Sequence, residues 1–247
     1  MIETNKQGSL ALVTGASRRI GRAIVEILHE KGFKVAIHYN YSATEALDLV
    51  NILNQKRADS AFACQKDLTK PQAAEQLMKE VAKHGLLSLL VNNASIFKTS
   101  DLNSTEPREW DALFNANVKA PWALSLACRP YLEKSKGSII NITDIHAESP
   151  LKDYAVYCQT KAALVMQTKA LAKEFAPLIR VNAIAPGAIA WPEDDNSLSQ
   201  AKKEKIINQT PLKRHGDPQF IAQALWSLVE NPFITGQILA VDGGRSI

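Results

Sequence analysis

The feature that most restricts the fold of this chain is an alternation. Short, apolar, β-rich runs occur at Leu10–Thr14, Lys34–Tyr39, Ser60–Cys64, Leu86–Val91, Gly137–Thr143, Arg180–Ala185 and Gln237–Val241. Stretches with helical periodicity separate them: Gly21–Lys31, Thr44–Lys56, Pro71–His84, Trp110–Leu132, Tyr154–Phe175 and Pro218–Glu230. The early runs lack polar alternation, so both faces of each strand must be covered, as in a parallel sheet between two helix layers. The pattern predicts an α/β, Rossmann-like, doubly wound parallel sheet of about seven strands with helices on both faces. No Gly/Ser/Pro linker interrupts it, so residues 1–247 read as one domain. The segment Trp191–Thr210 breaks the rhythm: it is polar, carries Glu193-Asp194-Asp195 and follows a strand. Ligands bind beyond the carboxyl ends of such strands, so 191–210 is either a substrate loop that closes as a lid or a tolerated surface insertion.

Composition narrows the class. With 46% hydrophobic and 22% charged residues, the chain has the makeup of a globular protein. No apolar run approaches the ~18 residues that span a bilayer, and Met1 to Gly8 is polar, unlike a signal peptide. A cytoplasmic protein without a membrane partner is expected. The net charge is +4, but the basic residues are scattered, and Lys202-Lys203-Glu204-Lys205 reads as a solvated helix face. No basic stripe or motif points to nucleic acid. Cys64, Cys128 and Cys158 are far apart and form no CxxC pair, as expected of reduced thiols rather than a metal site.

The first strand runs into Thr14-Gly15-Ala16-Ser17-Arg18-Arg19-Ile20-Gly21, after which a helix begins. A glycine-bearing turn at a helix N-terminus favours a pyrophosphate through free N–H groups and the helix dipole. An acid after the second strand would repel a 2′-phosphate. This chain has Tyr39, Asn40, Tyr41 and Ser42 there, with Arg18 and Arg19 in the first turn, which favours NADPH over NADH. Tyr157 and Lys161 lie four apart in a helical stretch and share a face, a spacing suited to a general acid/base pair.

Taken in order, these pieces resemble the short-chain dehydrogenase/reductase family over essentially the whole chain. The matching residues are Thr14-Gly15…Gly21, Asp67-Leu68-Thr69, Asn92-Asn93-Ala94, Asn117, Tyr157…Lys161, Pro186-Gly187 and Thr235-Gly236…Val241-Asp242-Gly243-Gly244. The resemblance implies a Rossmann domain, a homotetramer, and a cofactor site of Gly15, Arg18, Arg19, Ile20, Gly21, Tyr39, Asn40, Ser42, Asp67, Leu68, Asn93, Ala94, Ser95, Lys161, Pro186 and Gly187. It implies that Asp67 approaches adenine and Asn92 supports the cofactor strand. Asn117 would hold a proton-relay water, Tyr157 would be the acid, and Lys161 would bind the nicotinamide ribose and depress the Tyr157 pKa.

Departures from the common pattern are informative. Arg19 stands where the family usually has its middle glycine, Asp144 replaces the usual serine thirteen residues before the tyrosine, and Ser95 follows Asn-Asn-Ala. With Phe97, this set resembles the pteridine reductase branch, which reduces pterins and often folates with NADPH. Tyr41 departs from that branch, which often carries arginine there.

The chemistry points the same way. An ionised Asp144 would repel the oxyanion of a ketone under reduction, but suits an imine nitrogen that must gain a proton. The expected substrate residues are Arg19, Ser95, Phe97, Asp144, Tyr157 and Trp191. Phe97 would stack on the pterin ring or serve as a core aromatic. Asp144 could instead be a turn or cap residue, Arg19 could touch the pyrophosphate alone, and Trp191 could be a wedge that packs its loop. The expected activity is reduction of dihydropterins such as dihydrobiopterin or dihydromonapterin, or of dihydrofolate. The alternatives are a carbonyl reductase of the same family, acting on 3-oxoacyl thioesters or sugars, and a non-enzymatic NADPH-binding regulator.

Overall fold

The computed structural model describes residues 9–100, 106–191 and 198–247. Seven strands form one sheet: β1 (Leu10–Val13), β2 (Lys34–Tyr39), β3 (Ala61–Gln65), β4 (Leu87–Asn92), β5 (Ser138–Ile142), β6 (Arg180–Pro186) and β7 (Ile238–Val241). Every neighbouring pair is parallel, in the order β3-β2-β1-β4-β5-β6-β7. The helices are α1 (Arg19–Glu30), α2 (Ala43–Lys56), α3 (Ala73–Val81), α4 (Pro107–Phe114), α5 (Ala120–Ser135), α6 (Ala155–Glu174), α7 (Gln200–Gln209) and α8 (Pro218–Glu230). Among the described residues no helix is long and apolar enough to cross a membrane.

The unbroken apolar strands are explained by two separate cores, one on each face of the sheet. Ala11, Val13, Val35 and Ile37 pack with Ile24 and Leu28 of α1, Leu49 of α2 and Leu225 of α8. Leu10, Leu12 and Ala36, one residue out of phase, pack with Leu77 of α3, Leu124 of α5 and Leu171 of α6. Period-2 side chains thus bury on both sides. Truncating one of these leucines to alanine costs about 3 kcal/mol.

Strand order reverses between β1 and β4, and the crevice beyond their carboxyl ends is where such sheets bind ligands. The loops after these strands are stapled together. Thr14 Oγ1 accepts from the N–H groups of Asn93 and Ala94 at 2.9 and 3.0 Å. Asn93 Nδ2 donates to the carbonyls of Thr14 and Gly15, both at 2.9 Å.

One helical expectation needs correction. Trp110–Leu132 is not one helix: α4 begins at Pro107, a π-helical turn spans Asn115–Lys119, and α5 follows. The cause is Pro121, which has no N–H to offer the carbonyl of Asn117 four residues earlier. The bond that forms runs from Ala120 N–H to the Asn115 carbonyl, five residues back. Within 191–210, residues 200–209 form α7, whose N-terminus is capped by Ser199 accepting from Lys202 N–H. Glu193, Asp194 and Asp195 lie outside the described residues.

Candidate active site

Four elements bring the predicted chemistry together. β5 ends at Ile142, and Asp144 follows in extended backbone. Its Oδ1 accepts from His146 N–H at 2.8 Å, capping the short helical turn Ile145–Ala147. Its Oδ2 accepts from the Tyr157 hydroxyl at 2.6 Å. Asp144 is therefore both the cap residue and the partner of the tyrosine. Both oxygens of the side chain thus accept hydrogen bonds.

Tyr157 and Lys161 lie on the first turns of α6, both buried. Lys161 Nζ donates to the Ile142 carbonyl at 3.0 Å and lies 5.6 Å from the centre of the Tyr157 ring. The expectation that Lys161 depresses the Tyr157 pKa is corrected here. Burial above all, and then the Asp144 charge and hydrogen bond, hold the phenol well above its ordinary value. Tyr157 therefore remains a protonated donor. Lys161 is itself pushed down to about 8 by burial, with Asp144 acting in the opposite direction.

Asn117 sits in the π-helical turn. Its Oδ1 accepts from Ile96 N–H at 2.8 Å and from Ser95 Oγ at 3.2 Å. Its Nδ2 donates to the Ile96 carbonyl at 2.9 Å and to Thr160 Oγ1 at 3.1 Å. The amide is committed to tying the loop after β4 to α6. A water held by this residue would have to use the backbone carbonyl that Pro121 leaves without its helical donor.

The site opens into a cavity of about 550 Å³ lined by Arg19, Ser95, Phe97, Asp144, Tyr157, Lys161, Pro186, Gly187 and Trp191, among others. Phe97 stacks on Tyr154 at 4.4 Å and meets the Tyr157 ring edge-on at 4.8 Å. It packs against two aromatic rings at the wall of the site and is half-buried rather than part of the core. Trp191 stacks on His215 at 4.2 Å, and Lys203 of α7 lies over its ring. The wedge role therefore holds, although the residue also reaches the cavity. Arg19 donates to the carbonyls of Ala190 and Trp191, both at 3.0 Å, linking the glycine turn to the loop after β6. Its φ of +53° keeps the left-handed backbone that a glycine would take freely. This costs about 1–2 kcal/mol.

A second cavity lies on the other side of the Gly15 turn, lined by Thr14, His38, Asn40, Asp67, Leu68, Ala94 and Ser95, with Lys66 and Lys70 at its edge. Ser95 lines both cavities. Asp67 accepts from Thr69 N–H and Oγ1 and faces Lys70; the Thr69 hydroxyl above all, with smaller help from Lys70, holds its carboxyl below the usual value. His38 is buried: its Nδ1 accepts from Gly15 N–H at 3.3 Å, and its Nε2 reaches the Lys66 carbonyl at 2.9 Å. The histidine braces the glycine turn from beneath, a role not anticipated from the sequence. Tyr39 and Ser42 line neither cavity. Arg18 is exposed, 3.8 Å from Glu45.

The surroundings of the glycine turn fit a dinucleotide. No side chain caps the N-terminus of α1, whose first N–H groups face the turn. Gly21 is needed for packing: a Cβ there would come within 2.3 Å of the Gly15 carbonyl oxygen and 2.7 Å of Asn93 Nδ2. Gly187 likewise leaves no room, since a Cβ would lie 2.6 Å from Asp242 Cβ.

A seven-stranded parallel sheet carrying a Tyr/Lys pair at its carboxyl edge defines a class of nicotinamide-dependent oxidoreductases, and comparison with known proteins agrees. Residues 15–246 match the family model described as enoyl-(acyl carrier protein) reductase. The chain belongs to the short-chain dehydrogenase/reductase family. It is 38% identical over 239 residues to the 3-oxoacyl-[acyl-carrier-protein] reductase FabG of Staphylococcus epidermidis, covering 95% of this chain and 97% of the relative. With the Staphylococcus aureus protein of the same name it shares 36% over 244 residues, covering 97% and 98%. Among solved structures, a double mutant of a Serratia marcescens short-chain dehydrogenase/reductase superposes with a TM-score of 0.90 at 30% identity, covering 98% and 99%. A blue fluorescent protein from a metagenomic library, in complex with NADPH, gives the same score and identity, covering 99% and 100%.

Proposed function

We propose that this chain is an NADPH-dependent reductase of the pteridine type, which adds hydrogen across a C=N bond of a dihydropterin or dihydrofolate ring. The observation that supports it best is the Asp144 carboxylate, 2.6 Å from the Tyr157 hydroxyl. Reduction of a ketone places negative charge on oxygen, which this carboxylate repels. Reduction of a C=N bond requires a proton at nitrogen, and a carboxylate stabilises the protonated imine.

NADPH, when bound, supplies the hydride to carbon. The glycine turn and the α1 N-terminus would hold its pyrophosphate with Arg19; Asp67 and Leu68 would receive the adenine end, and Lys161 the nicotinamide ribose. Arg18 and Ser42 would take the 2′-phosphate. Tyr157, kept protonated by burial, delivers its proton to the ring nitrogen, and the O–H bond breaks as the N–H bond forms. Asp144 orients the hydroxyl through its 2.6 Å hydrogen bond and stabilises the positive charge that develops at nitrogen as the proton arrives. Phe97 offers a flat wall for the ring and Ser95 a polar contact at its edge. The NADPH-bound solved relative supports the choice of cofactor.

A second reading is reduction of 3-oxoacyl thioesters. It is favoured by the names of the staphylococcal relatives at 38% and 36% identity. Purified protein with NADPH is assayed against dihydrobiopterin, dihydromonapterin, dihydrofolate and an acetoacetyl thioester, following cofactor oxidation. The pteridine reading expects turnover of the pterins. Turnover of the thioester alone establishes the second reading.

We also read the chain as a homotetramer. Trp110, Trp122, Leu126 and Met166, on α4, α5 and α6, are exposed apolar residues suited to self-association. Light scattering tests the mass.

A further inference from the structure

The run Lys202-Lys203-Glu204-Lys205 reads in the sequence as a solvated helix face, but α7 divides it. Lys202, Lys205, Ile206 and Gln209 follow the i, i+3, i+4, i+7 spacing of one helical face. All four line the cavity that holds Asp144 and Tyr157. Glu204, the acid of the run, is not among the lining residues and accepts from Gln200 Nε2 at 3.0 Å, one turn earlier. Lys203 lies 5.7 Å from the centre of the Trp191 ring, and Arg19 holds the Trp191 carbonyl at 3.0 Å. The helix is thus tethered toward the glycine turn by its third lysine, while the other two face the cavity.

These two lysines have no acid of their own. Among the described residues neither Lys202 nor Lys205 forms an ion pair, and neither does Lys152, which lines the same cavity from the turn before α6. All three are exposed, whereas Tyr157 and Lys161 are buried. The acids among the described lining residues are Asp144 and Asp153, and Asp144 is held by the Tyr157 hydroxyl and the His146 N–H. The cavity therefore runs from a buried proton donor to a solvated group of ammonium ions. Its volume of about 550 Å³ lies within the range of about 300–1,000 Å³ that encloses a whole drug-sized ligand, so it accommodates a ring together with a tail. Lysine is a compact point charge on a flexible stem, suited to a mobile carboxylate or phosphate that arrives in no fixed orientation.

We propose that the substrate carries an anionic tail: the ring to be reduced enters toward Tyr157, and a carboxylate or phosphate on its tail is received by Lys202 and Lys205 of α7 together with Lys152. On the pteridine reading this selects a folate, whose glutamyl tail bears carboxylates, over a pterin with a neutral hydroxylated side chain. The inference rests on that reading for the ring, but not for the charge of the tail, which a phosphate-bearing thioester supplies equally.

Binding is measured by calorimetry on the full chain loaded with NADP⁺, which has no hydride to give. The quantity read is the ratio of the Kd for dihydrobiopterin to the Kd for dihydrofolate. The wild type is expected to bind dihydrofolate more tightly, and the ratio to fall about tenfold in the double variant Lys202→Gln/Lys205→Gln, the scale of one lost charge-assisted hydrogen bond. Lys202→Arg/Lys205→Arg keeps the charge and most of the ratio. Added salt lowers the ratio in the wild type more than in the glutamine variant, because exposed charges are screened. If the pterins bind with a ratio that the glutamine variant leaves unchanged, the anionic tail is overturned and the pteridine reading stands. If neither pterin binds, the pteridine reading fails and the tail is tested on thioesters: the KM for acetoacetyl-coenzyme A, whose tail bears phosphates, against acetoacetyl-N-acetylcysteamine, whose tail bears none. A rise confined to the coenzyme A thioester in the glutamine variant upholds the anionic tail. An equal effect on both thioesters, or none, overturns it.

Discussion

The Tyr157 hydroxyl donates to Oδ2 of Asp144 at 2.6 Å, and Oδ1 of the same carboxylate is fixed by the His146 N–H. The acid of the site is thus clamped by a group that is itself clamped by backbone. Removing only the phenolic oxygen isolates its chemistry. Tyr157→Phe is expected to lower kcat by about 10²–10⁴-fold, the range for loss of a general acid, with NADPH affinity retained. Fluorescence titration of NADPH and steady-state kinetics separate the two effects, and equal losses in binding and turnover would argue for a packing role.

Arg18 is exposed, and its contact with Glu45 at 3.8 Å ties it weakly. Such surface pairs contribute about 0–1 kcal/mol, so the guanidinium is available to a 2′-phosphate. Arg18→Glu should raise the KM for NADPH about tenfold or more, as expected when a charge-assisted contact becomes repulsive, while the KM for NADH changes little. Equal changes for the two cofactors would remove Arg18 from the 2′-phosphate site.

His38 links the glycine turn to acid stability. Burial pushes it down to about 4 from 6.5, with its bond to Lys66 opposing. Between those values the unfolded chain binds a proton that the folded chain refuses. Stability therefore rises with pH through this window and is lost as pH falls from 6.5 toward 4, by about 3 kcal/mol from this residue. Urea unfolding at a series of pH values reads the loss, and His38→Gln should flatten it. A wild-type midpoint that stays constant from pH 6.5 to 4 would show that His38 is not held neutral.

Asn117 makes four hydrogen bonds with its amide between the loop after β4 and α6. Asn117→Ala leaves the Ile96 N–H and carbonyl without their partners. The expected loss is about 2–4 kcal/mol, from unsatisfied polar groups in a part-buried setting. Denaturant unfolding measures it, and a loss below half a kcal/mol would mean that water replaces the amide without penalty.

The central strands β1, β4 and β5 were legible almost to the residue because both their faces are buried, so each appears as a mainly apolar run. Spacing alone marked the Tyr157/Lys161 pair; Asp144 was legible because it stands where the resembled family has a serine. The π-helical turn at Asn117 was not read, although Pro121 carried the signal: a proline removes the donor that the fourth residue before it needs. Phe97 and Trp191 have sequence contexts equally suited to packing and contact; in the structure each packs on neighbouring rings at the wall of the cavity. His38 escaped notice because its partner is a backbone N–H 23 residues away.

The role of Asp144 in selecting C=N over C=O is tested most directly by one ratio: kcat/KM for a dihydropterin over kcat/KM for an acetoacetyl thioester, measured in the wild type and in Asp144→Ser. Replacing the carboxylate with a neutral hydroxyl removes the repulsion of an oxyanion and the stabilisation of a protonated imine together. The ratio should favour the pterin in the wild type and fall by about a hundredfold or more in Asp144→Ser, on the scale of a single lost transition-state contact. A ratio that favours the thioester in the wild type, or that the substitution leaves unchanged, contradicts this role.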